Sequence, residues 1–382
     1  MFVNKLSKIK RNIFASVPLI DRWLLGQLIP PMLFAIGAFT AVSLSVGIMF
    51  DLIRKIVEFG LPLQIALKIL LLKLPGFLVL SFPMSMLLST LLAYGKLSSN
   101  SELLALKSLG IPNRRIVIPA ILLSILMTIL TFTFNDSFVP ISNRLAETTM
   151  RESLGTSFSN EEGKHIMFSK YGYQIDSENK ISKSQENLTH IFYAKYFRNN
   201  FMEKVTLMDF SRVGIEQILK AEKAQFNQKE NLWDFYNGRL IITKENGETS
   251  SINFSSYKYP LGQGPKELAR IPKDANDMNL EQAIKAERMY KEAANNKESR
   301  RMRVRIQEKF TLPSACLVFA LIGSSFGIKS FSRSSKSQGF GLSIVMIFGY
   351  YMLSFFSSSL GVKGILNPVS AAWLPVLISI ST

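Results

Sequence analysis

The sequence predicts a membrane α-helical protein of six spans, three on either side of a large inserted β domain. Three observations predict it. Residues 1–136 and 309–382 are apolar and almost free of acid, whereas the residues between them are polar and densely charged. Of 28 Asp and Glu residues, only Asp21, Asp51, Glu58, Glu102 and Asp136 lie outside the insert, as expected where a carboxylate would face lipid. Within the insert, residues 165–260 carry aromatic and β-branched runs about ten residues apart, the spacing of short strands.

The spans follow in order. A helix needs about 20 apolar residues to cross the hydrocarbon. Such runs fall near 24–50, 62–94, 116–135, 310–328, 339–359 and 365–381. The second, about 50 Å long as a helix, exceeds one crossing, and Pro75-Gly76 and Pro83 predict a kink in it. The basic segment from Lys5 to Arg11 leads into Asp21-Arg22 without a small-residue cleavage site, so it is not read as a cleavable signal.

Lys and Arg in the short loops set the orientation. With the N-terminus inside, cytoplasmic segments hold Lys5, Lys8, Lys10, Arg11 and Arg22, then Lys96, Lys107, Arg114 and Arg115, then Lys329, Arg333 and Lys336. The short outer loops hold only Arg54, Lys55 and Lys363. Both termini are therefore expected in the cytoplasm and the insert outside. The net charge of +17 follows the same division, with 18 basic against 5 acidic residues outside residues 137–308. That is a membrane bias, not the basic soluble face of a nucleic-acid binder. The one cysteine, Cys316, lies in the fourth span, so no disulfide framework forms within the chain.

In the insert, strands are read at Thr189–Phe197, Val205–Phe210, Ile215–Phe226, Trp233–Thr243 and Thr249–Tyr257. The last two flank Glu245-Asn246-Gly247-Glu248, a strong hairpin signal. This spacing predicts a sandwich or jelly roll rather than βαβ units. Residues 141–154 and Asn279–Lys309 read as helical, with a Pro/Gly-rich linker at Tyr259–Pro272. The expected organisation is a membrane half at 1–136 with a cytoplasmic helix near 98–112, a β domain at 137–265, a linker and helix at 266–308, and a second membrane half at 309–382.

Catalytic and metal-binding signals are missing. His165 and His190 lack metal-ligand spacing and read as ordinary surface residues on or near strands. There is no paired-carboxylate motif. Gly323-Ser-Ser-Phe-Gly327-Ile-Lys329-Ser330 has the wrong spacing for a phosphate loop and ends an apolar helix. It reads instead as a helix-packing face, Gly323-x-x-x-Gly327. The chain is expected to hold no cofactor and to rely on another subunit for any ATP hydrolysis.

Between the second and third spans lies Ser98-Ser-Asn-Ser101-Glu102-Leu103-Leu-Ala-Leu106-Lys107-Ser-Leu-Gly110-Ile-Pro112. Ser98 and Ser101 are candidate caps, Glu102 suits the N-terminus of a short helix, and Gly110 stops it. Residue spacing leaves two readings open, a helix lying on the membrane or one inserting into a partner's groove. This segment resembles the LptF/LptG (YjgP/YjgQ) permease family, and the resemblance runs through nearly the whole chain. It includes Gly95-Lys-Leu-Ser, Asn135-Asp136 with Pro140, Trp233-Asp-Phe-Tyr-Asn-Gly238, Leu280 through Arg305 leading to Pro313, Gly349-Tyr-Tyr351, Asn367-Pro368 and Ala371-Ala372-Trp373-Leu374-Pro375.

The resemblance implies an inner-membrane subunit of an ABC transporter that exports lipopolysaccharide. It implies a periplasmic β-jellyroll and a second LptF/LptG-type subunit, or a second copy of this chain. It also implies an LptB-like ATPase dimer that binds ATP and Mg, and LptC- and LptA-like periplasmic proteins. Ser101, Glu102, Leu103, Leu106 and Gly110 would couple to the ATPase. Arg54 and Lys55 sit where the family places lipid-contacting cations; snorkelling at a helix end is the competing explanation. Lys68 and Lys73 lie in the outer half of the second span, where an intramembrane lysine is a functional candidate, again against snorkelling. Two other function classes stay open, an ATPase-independent lipid flippase or transporter and a membrane assembly scaffold.

Overall fold

The computed structural model describes residues 18–153, 164–174, 187–198, 200–228, 230–262, 265–266, 277–329 and 336–381. The basic N-terminal segment, Arg333 and most of the Tyr259–Pro272 linker lie outside the described residues, as does the His165 side chain. The chain divides into two compact units. One comprises Met1–Leu154, Gln307–Gly361 and Ile365–Thr382; the other comprises Gly155–Ile306 with Val362–Gly364.

The first unit is helical. Helix α1 (Leu19–Leu44) passes through a π turn (Ser45–Met49) into α2 (Phe50–Phe59). Apolar residues continue through the turn, so Leu19–Phe59 is one unbroken 41-residue candidate span. Arg54 and Lys55 therefore lie on this helix and not in a loop. Helix α3 (Leu63–Ser99) contains Pro75 and Pro83. It is followed by the short α4 (Glu102–Ser108), then α5 (Asn113–Thr133), a second π turn (Phe134–Phe138) and α6 (Val139–Ser153). The third span thus runs on into α6, and the helix expected at 141–154 belongs to the membrane unit rather than to the β domain.

Five helices among the described residues are long and apolar enough to cross a membrane. The expected sixth span is α10 (Pro368–Ser381), an apolar helix of 14 residues. At 1.5 Å per residue it is only about 21 Å long, short of a ~30 Å hydrocarbon layer.

Helix packing uses small residues. A Cβ at Gly323 would strike Thr90 Oγ1 and lie 2.9 Å from the Leu87 carbonyl oxygen. One at Gly327 would lie 2.8 Å from Tyr94 Cβ. The glycines of helix α8 (Asn296–Lys329) are therefore notches that seat it on α3, the packing expected of small-x-x-x-small faces. Two buried hydroxyls bridge helices: Ser89 Oγ donates to the Leu28 carbonyl at 2.7 Å, and Tyr94 Oη to the Ile116 carbonyl at 2.9 Å. At the start of α1, Asp21 accepts a two-pronged ion pair from Arg115 of α5, with Nη2 to Oδ2 at 2.8 Å. Helix α9 (Lys336–Lys363) adds Ile347 and Tyr350 to the apolar core, where Tyr350 meets Phe319 edge-on at 4.8 Å.

The second unit holds six antiparallel strands in simple chain order, β1 (Lys164–Gly172), β2 (Asn187–Arg198), β3 (Phe201–Arg212), β4 (Ile215–Asn227), β5 (Leu232–Lys244) and β6 (Thr249–Tyr259). It is a meander; no connection skips a strand. Asn246-Gly247 makes the β5–β6 turn, with Gly247 at φ +83°. Alternation places Phe168, Phe192, Val205, Leu207, Leu219, Phe226, Trp233 and Phe235 on one face as a single core. Phe192 of β2 and Trp233 of β5 stand 5.2 Å apart although three strands apart in order, so the sheet curls back on itself.

The curl has a local origin. Inward alternation slips by one residue at the same row of β3, β4 and β5, where Lys204 and Asn237 adopt φ of +52° and +50° on either side of Glu222. Next to that row, a Cβ on Gly238 would strike both the Lys220 carbonyl oxygen and the Phe254 ring. Helix α7 (Leu280–Glu292), capped by Asn279 with Gln282 in a reciprocal capping box, and the start of α8 pack through Ala283, Ala286 and Met302.

Candidate functional site

Three places in the chain carry functional candidates. The first is α4. It is bounded by two left-handed residues, Ser101 (φ +62°) and Gly110 (φ +82°). Ser101 makes no side-chain cap; Asn100 Nδ2 instead donates to Glu102 Oε1 at 2.9 Å. Of the predicted contact residues, Leu103 is buried beside Leu97 and Ile116 and Leu106 packs against the same cluster. Both anchor the helix within this chain. The surface they leave outward belongs to Leu104 (68% exposed) and Leu109 (78%), flanked by Lys107. Neither leucine is among the residues expected to couple to the ATPase, although a seven-residue helix pinned by Leu103 and Leu106 must turn its neighbours away.

The second is the set of cations. Arg54 lies 3.7 Å from Asp51 and 3.8 Å from Glu58 along its own helix. Lys55 Nζ lies 2.7 Å from Asp51 Oδ2 and 3.0 Å from Met150 Sδ, and is only 19% exposed. Both are partly neutralised by local acids. Lys68 is exposed and Lys73 half-buried, and neither has a hydrogen bond or ion pair among the described residues. Sequence reading also missed Lys309. It is 7% exposed, and its Nζ donates to the Asn135 carbonyl at 3.2 Å and stands 3.5 Å from Asp136 Oδ1. Asp136 was the available signal, because a carboxylate at the end of an apolar span needs a partner.

The third is the interior of the β unit, an apolar space filled by Phe192, Phe235 and Trp233. A polar cluster closes one end. His190 Nε2 lies 2.9 Å from Tyr259 Oη, which donates to Asp209 Oδ2 at 2.5 Å. Thr189 Oγ1 is 3.0 Å from His190 Nδ1. His190 is therefore not the surface residue expected; its side chain is 12% exposed and that of Asp209 13%. Burial holds the His190 pKa below its ordinary value, against the pull of the Asp209 charge. Burial alone would lift the Asp209 carboxyl, but hydrogen bonds from Ser211 and Tyr259 outweigh it and hold the group below the usual carboxylate range. Burial, then the hydrogen bond to Asp209, pushes the Tyr259 phenol up. The neutral phenol is thus the donor to a charged carboxylate.

No group of three or more His, Cys, Asp or Glu residues among the described residues is arranged to hold a metal ion. The chain matches the family described as lipopolysaccharide export system permease LptF/LptG over residues 22–382. A comparison with curated proteins finds no match.

Proposed function

The chain belongs to the LptF/LptG family of lipopolysaccharide export permeases, and from that premise we propose that it is the transmembrane subunit of an ABC transporter whose ATPase is a separate chain. In this reading both termini are cytoplasmic and the β unit is periplasmic. An LptB-like ATPase dimer binds ATP and Mg and docks beneath α4. A second LptF/LptG-type subunit, or a second copy of this chain, completes the lipid cavity. LptC- and LptA-like proteins receive the lipid from the β unit.

The observation that carries the reading is the solvent face of α4. An interfacial helix would bury its apolar side chains in the membrane and have no need of a rigid seat. Here Leu103 fixes the helix to the bundle, while Leu104 and Leu109 stand exposed beside Lys107. Exposed leucines on an anchored helix suit insertion into a protein groove. Glu102, at the first turn, places a charge at the rim.

The lipid side follows from energetics. Each acyl methylene exposed to water costs about 0.8 kcal/mol, so the tails need apolar surroundings throughout. Lys68 and Lys73, without acidic partners among the described residues, are the cations free to meet an acidic head.

The test is copurification of the ATPase with the tagged chain. Glu102→Arg is expected to abolish it while leaving the chain's thermal midpoint unchanged. Retention of the ATPase by Glu102→Arg and by Leu104→Arg alike would overturn the coupling role of α4.

A further inference from the structure

We propose that Tyr259, His190 and Asp209 form a latch that holds the end of β6 against β2 and β3, and that this latch opens when a lipid tail enters the β unit. The proposal rests on the lipid-transfer reading above and adds a control point to it.

Backbone hydrogen bonds join β6 only to β5 among the described strands. Its polar link to β2 and β3, four and three places away in strand order, is made through the Tyr259 side chain, 2.9 Å from His190 and 2.5 Å from Asp209. All three residues point to the core side and sit at the end of the apolar interior. Lys170 of β1, Arg212 of β3 and Tyr257 of β6 are the other ionisable groups that act on the cluster. Beyond it the interior is occupied by its own rings, with Phe192 and Phe235 fully buried and Trp233 1% exposed. An acyl chain therefore enters only if the curled sheet parts.

The chemistry of the closure suits opening. Apolar side chains at this position would close the roll at least as stably, since buried polar groups carry a desolvation cost. A hydrogen-bonded closure differs in being exchangeable. Water or the polar head of an arriving amphiphile can replace each bond as it breaks, whereas lost dispersion contacts have no such substitute. The supply of protons is also limiting. Thr189 lies 3.0 Å from His190 Nδ1 and 3.1 Å from the Lys170 carbonyl, and its one hydroxyl proton serves one of them. With His190 neutral the network keeps one contact unfilled, so it is short of full closure as it stands.

Tyr259→Phe removes the bonding oxygen and keeps the ring. In the full chain in lipid nanodiscs, amide exchange across 249–259 and the facing ends of β2 and β3 is expected to rise about tenfold, the worth of a hydrogen bond to a charged group, with β4 and the membrane spans unchanged. Asp209→Asn should act in the same direction. Photocrosslinking of purified lipopolysaccharide from a benzophenone amino acid at position 192 should rise severalfold in Tyr259→Phe. Unchanged exchange in both variants overturns the latch, and so does an equal rise across β4, which would mean general destabilisation. Faster exchange at β6 without lipid crosslinking in any variant overturns the lipid path while the closure stands.

Discussion

Single side chains in this protein do their work by being the right size or by being buried with the right partner. Gly327 shows the first. Its missing Cβ leaves room for Tyr94, whose hydroxyl donates to the Ile116 carbonyl. Gly327→Val would overpack α8 against α3 and is expected to cost about 1–3 kcal/mol, seen as a lowered thermal midpoint in detergent; an unchanged midpoint would mean that the helices part without penalty. His190 shows the second. Its pKa is depressed by burial, so the folded β unit favours the neutral ring. The associated stability is fully present above the unfolded pKa near 6.5 and is lost as pH falls below it. Asp209, held low, loses its contribution only at a more acidic pH. In a chain with Trp23 and Trp373 replaced by Phe, Trp233 fluorescence reports the β unit alone. Its thermal midpoint is expected to fall from pH 7 to pH 5.5, and His190→Gln should remove most of that fall.

At the scale of elements, α4 separates anchoring from contact. Leu103→Ala deletes a buried side chain and should cost about 2–4 kcal/mol of bundle stability. Leu109→Arg, at a site 78% exposed, should leave stability within about 0.5 kcal/mol yet reduce ATPase copurification. If the two variants behave alike, the division of faces is wrong. The same helix shows what a sequence carries and what it hides. Its existence and ends were legible, because Glu102 and Gly110 are local signals. Which leucines point inward depends on how α4 meets Leu97 and Ile116, and no local pattern encodes that. Strands β2–β6 and the Asn246-Gly247 turn were legible to within a few residues for the same reason. The curl of the sheet was not, since it comes from Lys204 and Asn237 taking left-handed backbone in register on separate strands. His190 was misread in consequence, because alternation tells which face a residue takes but not that the sheet folds over it. Arg54 and Lys55 were placed in a loop because a run of charges after an apolar stretch resembles a span end. Their pairing with Asp51 and Glu58 one turn away instead lets the helix continue to Phe59.

For the whole molecule, the reading requires that the β unit and α4 face opposite compartments. A lipid lifted from the inner membrane needs its receiver outside, and the ATP that drives the lift is inside. The bias of Lys and Arg toward one set of short loops argues for this orientation, and it is open to direct test. Cys316 is fully buried, so Cys316→Ser gives a background without a native thiol. A single cysteine at Asn246, on the exposed β5–β6 turn, is expected to react with a membrane-impermeant maleimide in intact spheroplasts. One at Lys107, exposed on α4, should react only after the membrane is opened. The reverse pattern would leave the ATPase and the β unit on the wrong sides, and no arrangement of the lysines would rescue export. With the orientation established, Lys68→Ala and Lys73→Ala address the cargo. Snorkelling lysines contribute only to anchoring, so their loss would leave lipid extraction unchanged. If the lysines hold an acidic head, their loss would instead lower lipid crosslinking to the bundle about tenfold or more, each deletion removing a charge-assisted contact worth about 1.5–3 kcal/mol when desolvated, with ATPase copurification intact.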